Sequence, residues 1–355
     1  MKQRSEQVQR FASLIKKSQC IVLLPHTAPD GDALGSTLAL RRVLTLRYPE
    51  KSIDIISPDH IESYLSWMEG VDGLTLYPDF GGRSLDLIHE ADLLLHLDHN
   101  VTSRLRHEPL VSACQRSVAS RVLIDHHLDP SSEFDLVFSY PSLSSTCHLV
   151  YILLCALGWQ EHIDSTVATH LLTGIITDTG RFLYNCTDAQ LFSAVSELIA
   201  CGAGYAEIID RLSYHGRIQQ LLMQGYALYE KMELYPELQT AVIVLSQDDL
   251  LRLDATKGDT EGLVNLPLSV EGITSACLIR EDKTQVKLSM RSMGDVAVNM
   301  VANRGFGGGG HLNAAGAEYR GTTQEAKNIY LYELEQMLAE LYDKRIPGSS
   351  EFSIR

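Results

Sequence analysis

Acidic and histidine side chains recur at the ends of short apolar segments in the first half of the chain. The loop HTAPDGD at 26–32 follows CIVLLP, ADLLLHLD ends at Asp98, RVLID runs into the triplet at 125–127, and Asp178 closes the apolar segment 166–177. Buried carboxylates repel one another unless protons or cations neutralise them. Divalent cations resolve this conflict, so the pattern predicts a metal site. We call these residues the Asp/His cluster: His26, Asp30, Asp32, Asp98, Asp125, His126, His127 and Asp178.

Each motif alone has a commoner structural explanation. Asp30-Gly31-Asp32 has ordinary turn chemistry, a lone Asp after a strand can cap the next helix, and a single His is more often a core residue. Joint placement favours a site, because ligands bind beyond the carboxyl ends of parallel strands. A carboxylate-rich cage with imidazoles suits Mn²⁺, with Mg²⁺ or Co²⁺ as alternatives, and two such ions about 3.5–4 Å apart could clamp a phosphoryl group.

The segments that would position this cluster alternate between strand and helix patterns. Strands are predicted at 20–25, 51–57, 91–98 and 121–125, and the segment 33–48 has helical periodicity. This alternation predicts an α/β domain, with a parallel sheet and helices on both faces. The following segment, 144–231, reads as nearly all helical.

A second, smaller α+β domain is predicted beyond the helical segment, since 355 residues exceed one usual hydrophobic core. Its strands are expected at 240–245, 273–279 and 285–290, and its last helix at 323–342. The predicted division is a catalytic domain at 1–200, a helical connector at 201–232, a substrate-binding domain at 233–345 and a disordered tail at 346–355.

The composition limits the kinds of molecule that the protein is expected to bind. A formal charge of −15 and a pI of about 5.3 argue against a broad basic face for long double-stranded nucleic acid, but leave short anionic substrates open. No apolar stretch approaches the roughly 18–20 residues that span a bilayer. The polar start lacks the apolar region of a signal peptide. We expect a cytoplasmic protein without a membrane partner, which could be a homodimer.

A glycine-rich motif, FGGGGHLNAAGA at 306–317, stands in the predicted second domain. Four glycines are more often a flexible linker. Here a strand-like segment, QVKLSMR, precedes them and puts Arg291 on one face with Lys287 and Ser289. HLNAAGA reads as a helix start, whose N-terminus would add to backbone N–H groups in binding an anion.

The motifs HTAPDGDALGS, LHLDHN, LIDHH and GIITDTGRF resemble the successive motifs of the DHH phosphoesterase superfamily, and GFGGGGHLNAAG resembles its DHH-associated domain. The resemblance covers about residues 10–340. Within the superfamily, the chain resembles the nanoRNase group in its two-domain form and length. This resemblance implies that it removes mononucleotides from very short RNA and converts 3′-phosphoadenosine 5′-phosphate (pAp) to AMP.

The resemblance also implies roles. His26, Asp30 and Asp98 would hold one ion, and Asp32, Asp98, His126 and Asp178 the other. Asp98 would bridge both ions, and His127 would act catalytically at the scissile phosphate or the leaving group. The second domain would bind the part of the substrate that is not cleaved. The implied substrate contacts are Arg291, Ser292, Gly307, Gly308, Gly309, Gly310 and His311.

Two local departures keep alternatives open. LDHN, with His99 and Asn100 after Asp98, also resembles family II inorganic pyrophosphatases, so a pyrophosphatase or exopolyphosphatase is the nearest alternative. The second departure is His148 in STCHLV at 145–150, which does not match the family's pattern. We assign it no catalytic role and expect a structural histidine. A non-catalytic nucleotide sensor is the alternative from another class, and a processive RecJ-like exonuclease is disfavoured by the acidic composition.

Overall fold

The computed structural model describes residues 2–213 and 217–345, and the chain divides into two compact units, Met1–His215 and Gly216–Arg355. The boundary falls inside the predicted connector 201–232, so that segment is shared between the units. The predicted disordered tail at 346–355 lies outside the described residues.

The first unit is built on a six-stranded parallel sheet with the strand order β3-β2-β1-β4-β5-β6. The order reverses between β1 and β4, where doubly wound folds bind their ligands. The predicted parallel sheet is confirmed, although β3 and the short edge strand β6 were not predicted. The strands are β1 Cys20–Leu24, β2 Ser52–Ser57, β3 Thr75–Leu76, β4 Leu93–Leu97, β5 Ser120–Asp125 and β6 Leu136–Ser139.

Helices cover both faces of this sheet, as predicted. On one face the core joins α1, α2 and α5–α8, and on the other face α3 and α4 pack through residues such as Ile88 and Leu110. The helices are α1 Lys2–Lys17, α2 Gly31–Arg47, α3 Tyr77–Glu90, α4 Glu108–Arg116, α5 Thr146–Ala156, α6 Ser165–Asp178, α7 Ala189–Ala200 and α8 Tyr205–Ser213.

The second unit carries a mixed six-stranded sheet with the order β11-β12-β10-β9-β8-β7. Strands β8 and β9 pair in parallel, and the other neighbours pair antiparallel. This confirms the predicted α+β domain. The strands are β7 Met232–Tyr235, β8 Thr240–Leu245, β9 Ser275–Glu281, β10 Val286–Ser292, β11 Gly309–His311 and β12 Ala314–Tyr319. The helices are α9 Ile218–Tyr226, α10 Gln247–Arg252, α11 Val298–Phe306 and α12 Thr323–Arg345.

The glycine motif corrects one prediction. HLNAAGA does not start a helix; it forms the β11–β12 hairpin. The preceding helix, α11, ends at the motif, with Gly307 as its C-cap at φ 65°. The helix end at the glycines is therefore the carboxyl end, which does not favour an anion. Gly310 is required for close strand approach, since a Cβ there would lie 2.4 Å from the Ala314 carbonyl oxygen.

Among the described helices, none alone is long and apolar enough to cross a membrane. One pair, α7 with α8, passes that test together by length and composition, with a bend of 104° between its helices.

Candidate metal centre

Three neighbouring strands, together with helices α2 and α6, bring the Asp/His cluster to one edge of the first sheet. β1, β4 and β5 run in parallel, with Leu24 beside His96 and Leu97 beside Ile124. His26 lies two residues beyond β1, Asp98 directly follows β4, and Asp125 ends β5. The strand register therefore explains why residues far apart in sequence meet at the point where the strand order reverses.

Asp98 lies at the middle of the cluster. Its backbone is left-handed, with φ 62°, a conformation that few residues other than glycine adopt but that Asp tolerates comparatively well. Its buried carboxylate accepts a hydrogen bond of 2.9 Å from Thr146 Oγ1. Burial alone would raise the pKa of Asp98, but the nearby His26, His127 and His126 hold it well below the usual value. Asp98 is therefore an ionised carboxylate among histidines.

His26 presents one ring nitrogen to this carboxylate. Its Nδ1 donates to the Thr27 carbonyl oxygen at 2.7 Å, and its Nε2 lies 3.4 Å from Asp98 Oδ2 and 3.9 Å from Asp30 Oδ1. Burial would lower the pKa of His26, but Asp98 and Asp30 raise it to about 9. A cation at this place would take the position of that proton. The required tautomer, with Nε2 as ligand, is already fixed by Thr27.

The amino end of α5 holds Asp32. The backbone N–H groups of Thr146 and Cys147 donate to its two carboxylate oxygens at 2.6 and 2.8 Å. The side chain is almost fully buried, and burial together with the Asp98 and Asp178 carboxylates raises its pKa well above the ordinary value. These neighbouring carboxylates can all stay ionised only with cations among them.

His126 faces three carboxylates with one nitrogen. Its Nδ1 donates to the Leu143 carbonyl oxygen at 3.3 Å. Its Nε2 lies 3.4 Å from Asp178, 3.6 Å from Asp98 and 3.8 Å from Asp32. Burial would lower the pKa of His126, but Asp98 and, to a smaller extent, Asp32 raise it above the ordinary value. The three oxygens and one nitrogen converge as ligands of a single ion would.

His127 differs from the other histidines because it is partly exposed. Its Nδ1 donates to Asp125 Oδ1 at 2.7 Å and lies 3.7 Å from Asp98 Oδ1. The Asp125 side chain is fully buried, and its Oδ2 has no hydrogen-bond partner within the described residues. Asp125 therefore fixes the orientation and the tautomer of His127.

Glycines allow the helices that carry Asp32, Thr146 and Asp178 to approach closely. A Cβ on Gly31 would lie 2.4 Å from Thr177 Oγ1, next to Asp178. A Cβ on Gly174 would lie 2.2 Å from Cys147 Sγ and 2.8 Å from Asp32 Oδ1. The contact of α2 with α6 and α5 at these glycines sets the spacing of the cluster.

The donor set fits two divalent cations. Three groups in the first unit have ligand atoms within 4.8 Å of one another: His26 with Asp30 and Asp98, Asp32 with His126 and Asp178, and Asp98 with Asp125 and His127. The donors are carboxylate oxygens and imidazole nitrogens. This set suits Mn²⁺ and related ions, whereas a structural zinc site would typically contain thiolates. All the predicted ligands are thus brought together.

The second unit aligns two of the predicted substrate contacts. Arg291 and His311 are both register partners of Ala314, on the strands that flank β12. Directly opposed residues share a sheet face, so the Arg291 and His311 side chains project from the same face. Arg291 also shares that face of β10 with Lys287 and Ser289, as the alternation of burial shows.

Ser292, the third side chain among the predicted substrate contacts, does not project with Arg291 and His311. It is 2% exposed, and lies on the opposite face of β10 from Arg291. Its hydroxyl donates to the Val296 carbonyl oxygen at 2.5 Å and accepts from Asn313 Nδ2 at 2.9 Å. Alternation along the strand could have indicated this, because Ser292 continues the buried series of Val286 and Met290.

Sequence reasoning also missed the residues that support the cluster. The predicted ligands did not include Thr146 or the N–H groups of α5, although Ser145 is a recognisable N-cap and accepts from His148 N–H. His148 lies buried in α5, with Nδ1 3.3 Å from Ser144 Oγ, and is not part of the cluster. The helix start STCH was the available signal.

Comparisons with known proteins agree with this architecture. Residues 20–175 match the family model described as DHH family, N-terminal domain, and residues 238–340 match the DHHA1 domain. Two proteins named bifunctional oligoribonuclease and PAP phosphatase NrnA are similar. The one from Thermus thermophilus is 30% identical over 85% of this chain and 84% of its own length. The one from Bacillus subtilis is 28% identical over 90% of this chain and 93% of its own length.

A solved structure supports the same assignment. An exopolyphosphatase-related protein from Bacteroides fragilis superposes with a TM-score of 0.89 at 34% identity, over 95% of this chain and 98% of its own. With the cluster at the strand ends and both domain models in order along the chain, the assignment rests on motif, fold and sequence similarity together. The chain belongs to the DHH family of metal-dependent phosphoesterases, and its second unit carries a DHHA1 domain.

Proposed function

We propose that this enzyme hydrolyses short oligoribonucleotides to mononucleotides and pAp to AMP. The observation that carries the proposal is the convergence of Asp32, Asp98 and Asp178 on His126 Nε2, with His26 on the other side of Asp98. The names of the relatives from Thermus thermophilus and Bacillus subtilis support the choice of substrate.

Two ions, which we propose to be Mn²⁺, would share Asp98. His26 and Asp30 complete the first set of ligands, and Asp32, His126 and Asp178 complete the second. Bound there, the cations would supply charge stabilisation for the phosphoryl oxygens and lower the pKa of a water molecule. Thr146 keeps Asp98 oriented toward both sets, because its hydroxyl is a fixed donor to one carboxylate oxygen.

His127 is proposed to act on the substrate. Asp125 accepts a 2.7 Å hydrogen bond from the Nδ1–H group, so Nε2 would exchange a proton with the leaving oxygen or contact the scissile phosphate.

The second unit would hold the phosphate that is not cleaved. Arg291 can bind a phosphate through two N–H groups, and His311 on the same face adds a further polar contact. The backbone at Gly307, Gly308, Gly309 and Gly310 lets a ligand approach without interference from Cβ atoms. With the α11 carboxyl end at the motif, Arg291 rather than a helix dipole has to supply the positive charge.

The alternatives make different demands. A pyrophosphatase or exopolyphosphatase could use the same ions, and the Bacteroides fragilis structure is described as exopolyphosphatase-related. A nucleotide sensor would not need the full ligand set, whereas all the predicted ligands stand together here. We also propose a cytoplasmic location without a membrane partner, and a homodimer remains a prediction.

The test is a substrate panel. Protein stripped of metal and reconstituted with Mn²⁺ is incubated with di- to pentanucleotides, pAp, pyrophosphate and polyphosphate, and the products are separated by chromatography. We expect mononucleotides from the oligonucleotides and AMP from pAp. Turnover confined to pyrophosphate or polyphosphate would overturn the proposal, and nucleotide binding without turnover would favour the sensor.

A further inference from the structure

Two buried histidines, His96 and His99, flank Asp98 in the sequence. His96 lies near the end of β4 and His99 follows Asp98, and both side chains are 0% exposed. His96 Nδ1 lies 2.9 Å from His99 Nε2, and His99 Nδ1 lies 2.9 Å from the Leu97 carbonyl oxygen.

The Leu97 carbonyl oxygen decides which nitrogen donates in each of these hydrogen bonds. The Leu97 carbonyl oxygen can only accept, so His99 Nδ1 carries its proton and the Nε2 of the neutral ring is an acceptor. His96 Nδ1 must then be the donor to His99. His96 Nε2 carries no proton, which agrees with its lack of a hydrogen-bond partner within the described residues. One arrangement of protons satisfies the whole chain.

This chain of hydrogen bonds closes a loop around Asp98. It joins His99, which follows Asp98, to the Leu97 carbonyl oxygen and to His96 on β4. The Asp98 N–H donates to the Ile124 carbonyl oxygen at 3.1 Å. The left-handed backbone of Asp98, at φ 62°, is thereby held from both sides. A residue other than glycine rarely adopts this conformation without such restraints.

Asn100 links the loop after β4 to the loop after β5. Its Nδ2 donates to the Leu128 and Asp129 carbonyl oxygens at 2.8 and 3.2 Å, and its own carbonyl accepts from Ser131 N–H at 2.8 Å. Leu128 directly follows His127, so the loop after β4 is fastened to the loop that carries the two histidines of the cluster.

We propose that His96 and His99 are positioning residues, whose hydrogen bond sets the direction of the Asp98 carboxylate and so couples the two ion sites. The proposal rests on the metal centre inferred above. Neither ring contributes an atom to the cluster's ligand groups, and each acts through the backbone of Asp98. Burying two polar rings costs desolvation free energy, which their mutual hydrogen bond offsets in part.

Four variants separate positioning from packing. His96→Phe keeps a ring of similar size and removes the donor to His99. His96→Asn keeps a donor near the former Nδ1 position. His170→Phe is the matched control, because His170 is a buried histidine of the same unit, on α6, whose pKa burial lowers to about 4. His99→Asn breaks the same hydrogen bond from the acceptor side if His96→Phe does not fold.

The measurement is Mn²⁺ binding to metal-free protein by calorimetry, with electron paramagnetic resonance to detect spin coupling between two bound ions. We expect His96→Phe and His99→Asn to bind roughly 10–100-fold more weakly and to lose the coupled signal, as removal of supporting hydrogen bonds does elsewhere. His170→Phe should match the wild type, and His96→Asn should be closer to the wild type than His96→Phe.

Wild-type affinity and coupling in His96→Phe or His99→Asn would overturn the positioning role, as would an equal loss in His170→Phe. These readouts need no substrate, so they separate this inference from the proposed function. A wild type that binds two coupled ions but cleaves no nucleotide contradicts the function alone. A wild type that binds no Mn²⁺ contradicts both.

Discussion

Replacing Gly174 by alanine tests the helix contact that seats Asp32. The new Cβ would lie 2.2 Å from Cys147 Sγ, 2.8 Å from Asp32 Oδ1 and 3.0 Å from the Asp32 Cα. Since ordinary contacts are 3.4 Å or longer, α6 must move away from α5 and α2, or the Asp32 carboxylate must leave the N–H groups of Thr146 and Cys147.

The magnitude follows from two opposing effects. Alanine in a helix interior is favoured over glycine by roughly 0.8–1.0 kcal/mol. Forcing extra volume into a packed core costs typically about 1–3 kcal/mol, and a contact this short belongs at or above the upper end. We therefore expect a net loss of about 2 kcal/mol or more, equivalent to a fall in Tm of at least roughly 4–8 °C for a unit of this size.

The assay is thermal unfolding in EDTA together with Mn²⁺ titration. Gly82→Ala is the matched control, because Gly82 lies in α3 of the same unit and its Cβ would meet no atom within 4 Å. Cys147→Ala on the Gly174→Ala background removes the shortest contact and should restore stability in part, with a coupling energy of about 0.5–3 kcal/mol. Mn²⁺ binding should recover less, since the contact with Asp32 remains. Strictly additive effects, or a Gly174→Ala protein as stable as Gly82→Ala, would refute the reasoning.

Three further changes probe the site. Thr146→Val removes the hydroxyl that donates to Asp98 and, as hydrogen bonds to charged groups contribute about 1.5–3 kcal/mol, should weaken Mn²⁺ binding about 10–100-fold by calorimetry. Thr173→Val, whose buried hydroxyl donates to a helix carbonyl, is its control, and equal affinities would count against the role of Thr146. Arg291→Ala should raise KM for nucleotides far more than it lowers turnover of an aryl phosphate, and equal effects on both would contradict a phosphate clamp. Asp125→Asn should lower kcat without comparable loss of Mn²⁺, because it disturbs the His127 tautomer, and unchanged kcat would remove that role.

Strand and helix patterns predicted most of the first unit because its central strands are mostly apolar. β4 and β5 are buried along nearly their whole length, a pattern typical of parallel strands covered on both faces. β6 was missed because it has four residues at the sheet edge, alternately buried and half-buried. The position of the Asp/His cluster followed from the strand order, which fixes where ligands meet.

The supporting contacts could not be predicted in the same way. That the N–H groups of Thr146 and Cys147 reach Asp32 depends on how closely α5, α2 and α6 pack, and the sequence shows only that Gly174 is small. HLNAAGA was predicted to start a helix, but pairing of Ala314–Tyr319 with β10 makes it part of a strand. Tertiary pairing, rather than propensity, decided both cases.

The most direct test of the central claim counts the ions and follows the reaction in one preparation. Metal-free wild type and Asp98→Asn are titrated with Mn²⁺ while AMP release from pAp is measured. Asp98 touches both ligand sets, so we predict two Mn²⁺ per wild-type chain with AMP release that depends on them, and neither a coupled pair of ions nor AMP release in Asp98→Asn. Wild-type AMP release by Asp98→Asn, or by metal-free wild type, would contradict the two-metal account.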